Sequence, residues 1–193
     1  MEIEMALKTL GNKYPFLTGE CVSKLETCLV VLSLKKNYLL VREGQYANKA
    51  YFIVQGVARA FYMKDGKDIS DWFAFDNDFI CAVNSFFSNE PSTLNIELLE
   101  DSFVIEITKE NFIKLSNQYP EIDRLNKHVI TETMLRLQRR IVSMQFETAQ
   151  QKYDNLLEIW PGITQKISLT HIASFLGISL ETLSRVRNPK NRI

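Results

Sequence analysis

The chain has 193 residues, 46% hydrophobic and 24% charged, with 23 acids balancing 23 bases. That composition suits one large domain or two small ones with a packed core and argues against disorder. Zero net charge argues against indiscriminate nucleic-acid binding, no apolar run reaches the length of a membrane span, and the N-terminus is acidic where a signal peptide would be basic, so a cytoplasmic location without membrane partners is expected.

In chain order, residues 1–24 read as helix and loop with a turn at Tyr14-Pro15. From Cys28 to Thr108 the texture is strand-like. Seven short runs rich in β-branched and aromatic residues are predicted as strands: Leu29–Lys36, Tyr38–Val41, Ala50–Gly56, Val57–Met63, Ile69–Phe75, Thr93–Leu99 and Phe103–Thr108. Glu43-Gly44, Gln55-Gly56, Asp65-Gly66 and Glu100-Asp101 punctuate them as turns. Strands at this spacing, with no helices between them, predict an antiparallel roll rather than a parallel sheet. Cys21, Cys28 and Cys81 form no C-x-x-C pair and read as buried free thiols.

Beyond Lys109 the texture is helical. "KENFIKLSNQ" is one short helix, and Glu121 to Phe146 runs without Gly or Pro. Ile130, Met134, Leu137, Ile141 and Met144 are spaced four, three, four and three, the heptad seam by which two helices bury a narrow stripe. A second stripe, Ile122, Leu125, Val129 and Val142, is expected to pack on the roll. Arg136, Arg139 and Arg140 are expected to flank the seam, where full burial would be costly, so the seam is read as a dimer contact. A single helix buried in a larger core is the alternative. A break at Glu147-Thr148 leads to a helix over 149–160, ended by Pro161-Gly162.

The last motif is "LTHIASFLGISLETLSRVR", Leu169–Arg187. Ala173 is small where two helices would cross. Gly177 suits a turn residue at positive φ, and Ile172, Leu176, Ile178, Leu183 and Val186 would fill the wedge between the helices. Ser179 is placed as an N-cap, with Glu181 in the first turn. Leu180, Glu181, Ser184, Arg185 and Asn188 point outward, where Arg can bond guanine and Glu can accept from cytosine. Ser168, Ser179 and Thr182 are candidates for phosphates. From Pro161 onward five bases, Lys166, Arg185, Arg187, Lys190 and Arg192, face one acid, Glu181, a local charge of +4 against −4 for the rest. A basic tail on an acidic body suits a phosphate-bearing partner. A plain helical hairpin with a solvated basic face is the alternative reading.

These features, with "REGQYANKAYFIVQGVARAF" (Arg42–Phe61), "FDNDFI" (Phe75–Ile80) and "ISLETLSRVR" (Ile178–Arg187), resemble the Crp/Fnr family of bacterial transcription regulators over about Leu25 to Asn188. The resemblance implies an α+β chain. An antiparallel, jelly-roll-like β-roll of the cyclic-nucleotide-binding type with an N-terminal helix would span 1–120, a dimerisation helix 121–146, and a helix-turn-helix domain 147–193. It also implies a homodimer on a two-fold symmetric double-stranded site, with RNA polymerase and a small-molecule effector as further partners. Ser179, Glu181, Thr182 and Arg185 match recognition-helix positions of the family, whereas Leu180 stands where many members carry a base-reading Arg.

The ligand-pocket candidates carried over are Phe79, Cys81, Ala82, Val83, Ser92, Thr93, Leu137 and Gln138. Cyclic-AMP-binding members have Gly-Glu where this chain has Cys81-Ala82, and Arg followed by a hydroxyl residue where it has Ser92-Thr93. The ribose-holding carboxylate and the phosphate-neutralising guanidinium are both missing, so tight cyclic AMP binding is not expected. Leu137 and Gln138 replace small hydroxyl residues near the purine. Two N-terminal cysteines are too few for an iron–sulfur cluster. His128 and His171 read as surface or capping residues, and the roll region holds no histidine for a metal-dependent site, so no cofactor or metal is expected, nor an enzyme. The chain ends at Ile193, too soon for a β-hairpin wing. A protein-interaction module of the same fold that has lost DNA binding is the alternative function.

Overall fold

The computed structural model describes residues 3–188. Two helices open the chain, α1 (Ile3–Lys13) and α2 (Gly19–Glu26), the second capped by Thr18 Oγ1 accepting from Cys21 N–H. Eight strands follow: β1 (Val30–Leu34), β2 (Leu39–Val41), β3 (Lys49–Gln55), β4 (Ala58–Lys64), β5 (Lys67–Ala74), β6 (Phe79–Cys81), β7 (Asn95–Leu98) and β8 (Ser102–Thr108). They form two four-stranded antiparallel sheets, ordered β1-β8-β3-β6 and β2-β7-β4-β5, the roll expected from the strand spacing.

Two of the turn signals have a mechanical reason. At Asp65-Gly66 both residues have positive φ, 52° and 74°, the geometry that joins β4 to β5 in a tight hairpin with Lys64 opposite Lys67. Gly56, at φ 128°, lies so close to Ser102 that a Cβ there would come within 2.5 Å of the serine Cβ.

Strand β3 reads as a continuous apolar run because it is buried on both faces. Tyr51 and Ile53 enter the core between the sheets, with Val41, Ala58, Ala60, Ile96, Leu98 and Val104. Phe52 and Val54 face a second core built with α1, α2, α4 (Lys109–Gln118) and the start of α5 (Pro120–Phe146). The short helix α3 (Val83–Ser88), ended by Asn89 at φ 57°, was not legible in the sequence. Its six residues are fewer than two turns, too few to show a period.

Helix α5 carries the expected seam on an open side: Ile130, Met134, Leu137, Ile141 and Met144 are 42–60% exposed. Ile122 and Leu125 are buried against the roll and Val129 partly so, but Val142 is 47% exposed and does not join them. Twenty residues at about 100° each carry it roughly 200° round the helix from Ile122. A second correction concerns the arginines. Arg136 and Arg140 do not flank the seam. They turn inward, Arg136 to Asp78 (3.1 Å) and Arg140 to the Asp71 carbonyl (2.6 Å), while Arg139 stays exposed.

The break at Glu147-Thr148 is a helix end followed by a capping box between Thr148 and Gln151, which starts α6 (Ala149–Ile159). Then come α7 (Ile163–Lys166), a single turn the sequence did not announce, α8 (Leu169–Leu176) and α9 (Leu180–Arg187). The expected wing-less end, together with Lys190 and Arg192, lies outside the described residues.

Candidate nucleic-acid interface

Helices α8 and α9 are set by the residues the motif singles out. Ser168 caps α8 by accepting from His171 N–H (3.2 Å), and Ser179 caps α9 by accepting from Thr182 N–H (3.1 Å). Gly177 turns the chain at φ 66°, and Ile178 N–H donates to the Ala173 carbonyl (3.1 Å), closing the crossing. Ile172, Ala173, Leu176, Leu183 and Val186 are buried in the wedge, over Tyr153 and Leu156 of α6.

With Leu183 and Val186 turned inward, α9 presents the opposite side. Leu180, Glu181, Ser184, Arg185 and Asn188 line one open concavity of about 500 Å³. Leu180 is 44% exposed, an apolar side chain held in water at the first helical position. The Glu181 carboxyl is held below the usual carboxylate range by its own backbone N–H and the Ser179 hydroxyl. Ser168 and Ser179 spend hydroxyl lone pairs on capping, and Ser168 sits one helix away from the concavity.

The helical pair is packed on the roll. Its core is continuous with Val57, between β3 and β4, and Phe73 of β5, 0% and 1% exposed. Phe175 of α8 stacks near Phe73 (ring centroids 5.0 Å) and Trp160 near Phe75 (5.1 Å). Ser70 N–H donates to Ser174 Oγ (2.9 Å). Lys166, counted in the basic tail, pairs with Glu100 (3.3 Å) and so points to the roll.

Beneath this contact Arg59 is 2% exposed and is held by Glu97 (2.7 Å) and Asp68 (2.6 Å). Its guanidinium lowers the Asp68 pKa. His171 is partly exposed, and its backbone N–H takes part in the Ser168 cap. Its Nε2 lies 3.7 Å from Asp68, and its buried Nδ1 has no hydrogen-bond partner among the described residues. Burial, then Arg59, lowers its pKa.

The eight pocket candidates take different places. Phe79 turns to the helical side, stacking on Phe52 at 4.9 Å. Ala82 alone of the eight enters the buried core between the sheets. Burial pushes the Cys81 thiol up to about 12. Ser92 donates to the Leu94 carbonyl within its own turn (2.7 Å). Val83, Thr93, Leu137 and Gln138 are exposed. Trp72 and Leu94 pack against the inter-sheet core, and the Arg136 guanidinium lies 6.0 Å from the Trp72 ring. A separate cavity of about 200 Å³ opens by the β1 and β2 edges and contains none of the eight.

Residues 31–119 match the family described as "Cyclic nucleotide-binding domain". FixK2 from Bradyrhizobium japonicum superposes with a TM-score of 0.72 over 82% of this chain and 82% of its own, at 18% identity. The chain has the fold of the Crp/Fnr regulators. The c-di-GMP responsive global regulator CLP of Xanthomonas campestris superposes at 0.68 over 88% of this chain and 89% of its own, at 14% identity. A Eubacterium rectale protein assigned to the crp/fnr family of transcriptional regulators gives 0.68 over 90% and 83%, at 18% identity. No curated protein matches. The chain has no described helix long and apolar enough to cross a membrane, and no group of three or more metal-ligating side chains among its described residues.

Proposed function

We propose that the chain is a dimeric DNA-binding transcription regulator whose roll does not bind cyclic AMP tightly. The carrying observation is the open face of α9, where Leu180, Glu181, Ser184, Arg185 and Asn188 share one concavity over a buried apolar anchor. Such a face can enter a major groove and meet base edges with a guanidinium, a carboxylate and an apolar side chain. The exposed heptad seam of α5 supplies the second copy, and a two-fold pair of α9 helices would read half-sites about 34 Å apart. The fold of known regulators supports the same reading.

Selection of genomic fragments by the purified protein, followed by sequencing, tests it. A two-fold symmetric motif is expected. Arg185→Ala should cost about 1–3 kcal/mol and relax preference at one position of each half-site. No enrichment over input would discard the proposal in favour of a protein-interaction module.

A further inference from the structure

The inward side of α5 is tied to the roll and to the candidate DNA-reading unit at one point. Arg140 donates from Nη1 to the Asp71 carbonyl (2.6 Å) and from Nη2 to the Ser70 carbonyl (3.4 Å) of β5. The same guanidinium lies 4.2 Å over the ring of Phe175 in α8. Phe175 in turn meets Phe73 and Trp160, and its neighbour Ser174 accepts from Ser70 N–H. One side chain thus touches the strand, the long helix and the reading unit together. The exposed seam lies on another side of the same helix, with Ile141 next in sequence to Arg140.

We propose that Arg140 is a positioning residue, which couples the rotation of α5 to the placement of the α8–α9 pair and so sets which half-site spacing the protein accepts. This rests on the DNA-reading function proposed above. A rotation of α5 by about 20° carries an atom about 5 Å off its axis through about 2 Å. A flat guanidinium bonded to two carbonyls and lying over a ring cannot take up that shift without dragging Phe175 or letting it go. Packed contacts of this kind switch rather than stretch. A lysine could replace the charge but not the planar stack with two parallel donors.

The test uses the full chain, wild type, Arg140→Ala, Arg140→Lys and Phe175→Leu. Once genomic selection has given a motif, each protein is challenged with a library of paired half-sites whose spacer length varies. Sedimentation and amide hydrogen exchange are measured alongside. All variants should stay dimeric, and Arg140→Ala should keep its affinity for a single half-site. It should also lose about thirty-fold in affinity for the preferred spacing, the low end of what one ring contact and one charge-assisted hydrogen bond supply, and accept other spacings. Exchange should rise in α8 and at Ser70, and not at the buried roll residues of β3. Arg140→Lys should fall between the two. If Arg140→Ala does not fold, Arg140→Lys and Phe175→Leu decide. A spacing profile and α8 exchange equal to wild type would overturn the proposal. If the wild type selects no DNA, the DNA-reading function fails, and exchange in α8 alone decides whether Arg140 holds the pair in place.

Discussion

At the scale of single residues, two positions show how little freedom the fold leaves. Gly56 combines φ 128° with a serine side chain where its Cβ would go. Gly56→Ala must therefore pay strain and overlap together, and should lower stability by about 3 kcal/mol. Urea unfolding checks this, and an unchanged midpoint would show that the β3–β4 turn can rearrange. His171 is the second. Burial and Arg59 favour its neutral form, against opposing pulls from Asp68 and Glu97. A histidine whose folded pKa lies below its ordinary value of 6.5 binds fewer protons folded than unfolded. Its contribution is complete above that value and declines as pH falls through and below it. The thermal midpoint should therefore drop between about pH 7.5 and pH 5.5, and less so in His171→Gln. Equal drops in both proteins would assign the effect elsewhere. Asp68, held low by Arg59, acts in the same direction only below the ordinary carboxylate range.

At the scale of elements, the long helix divides its surface between neighbours. Ile122, Leu125, Arg136 and Arg140 serve the roll, while the heptad positions remain exposed. Replacing Leu137 and Ile141 with Asp places two carboxylates in the seam. It should leave the monomer fold intact, because both side chains are already in water, and should abolish dimers. Sedimentation reads this directly, and a surviving dimer would move the interface to another surface. The heptad spacing made the seam legible in the sequence, since it is a local property of one helix. Which arginines turn inward was not legible, because Asp78 and the Asp71 carbonyl reach α5 only through the folded sheet. Helices α3 and α7 escaped notice because so few residues give no period to count.

At the scale of the whole molecule, three cores are stacked in series: helices on one sheet, sheet on sheet, and the α8–α9 pair on the far sheet. The middle core is filled by apolar side chains, with Trp72 and Leu94 against it, and neither Ala82 nor Ser92 offers a charge to a phosphate. Titration calorimetry with cyclic AMP should accordingly show no binding at micromolar concentrations, and measurable heat at that level would require a rearranged roll. The docking of α8 on β5 joins the third core to the second.

The sequence by itself determined what depends on neighbours along the chain: the strand-rich stretch, the Asp65-Gly66 turn, the cap at Ser179, the turn at Gly177 and the outward side of α9. Backbone sterics and short-range hydrogen bonds decide these wherever the segment finds itself. Only the tertiary structure decided what depends on approach through space. Phe79 packs on Phe52 on the helical side, Lys166 pairs with Glu100 of the roll, and His171 lies 3.7 Å from Asp68. Arg140 came to lie between a strand and a ring 35 residues further on. Charge and burial at these positions come from groups distant in sequence, and no local pattern encodes the distance between them.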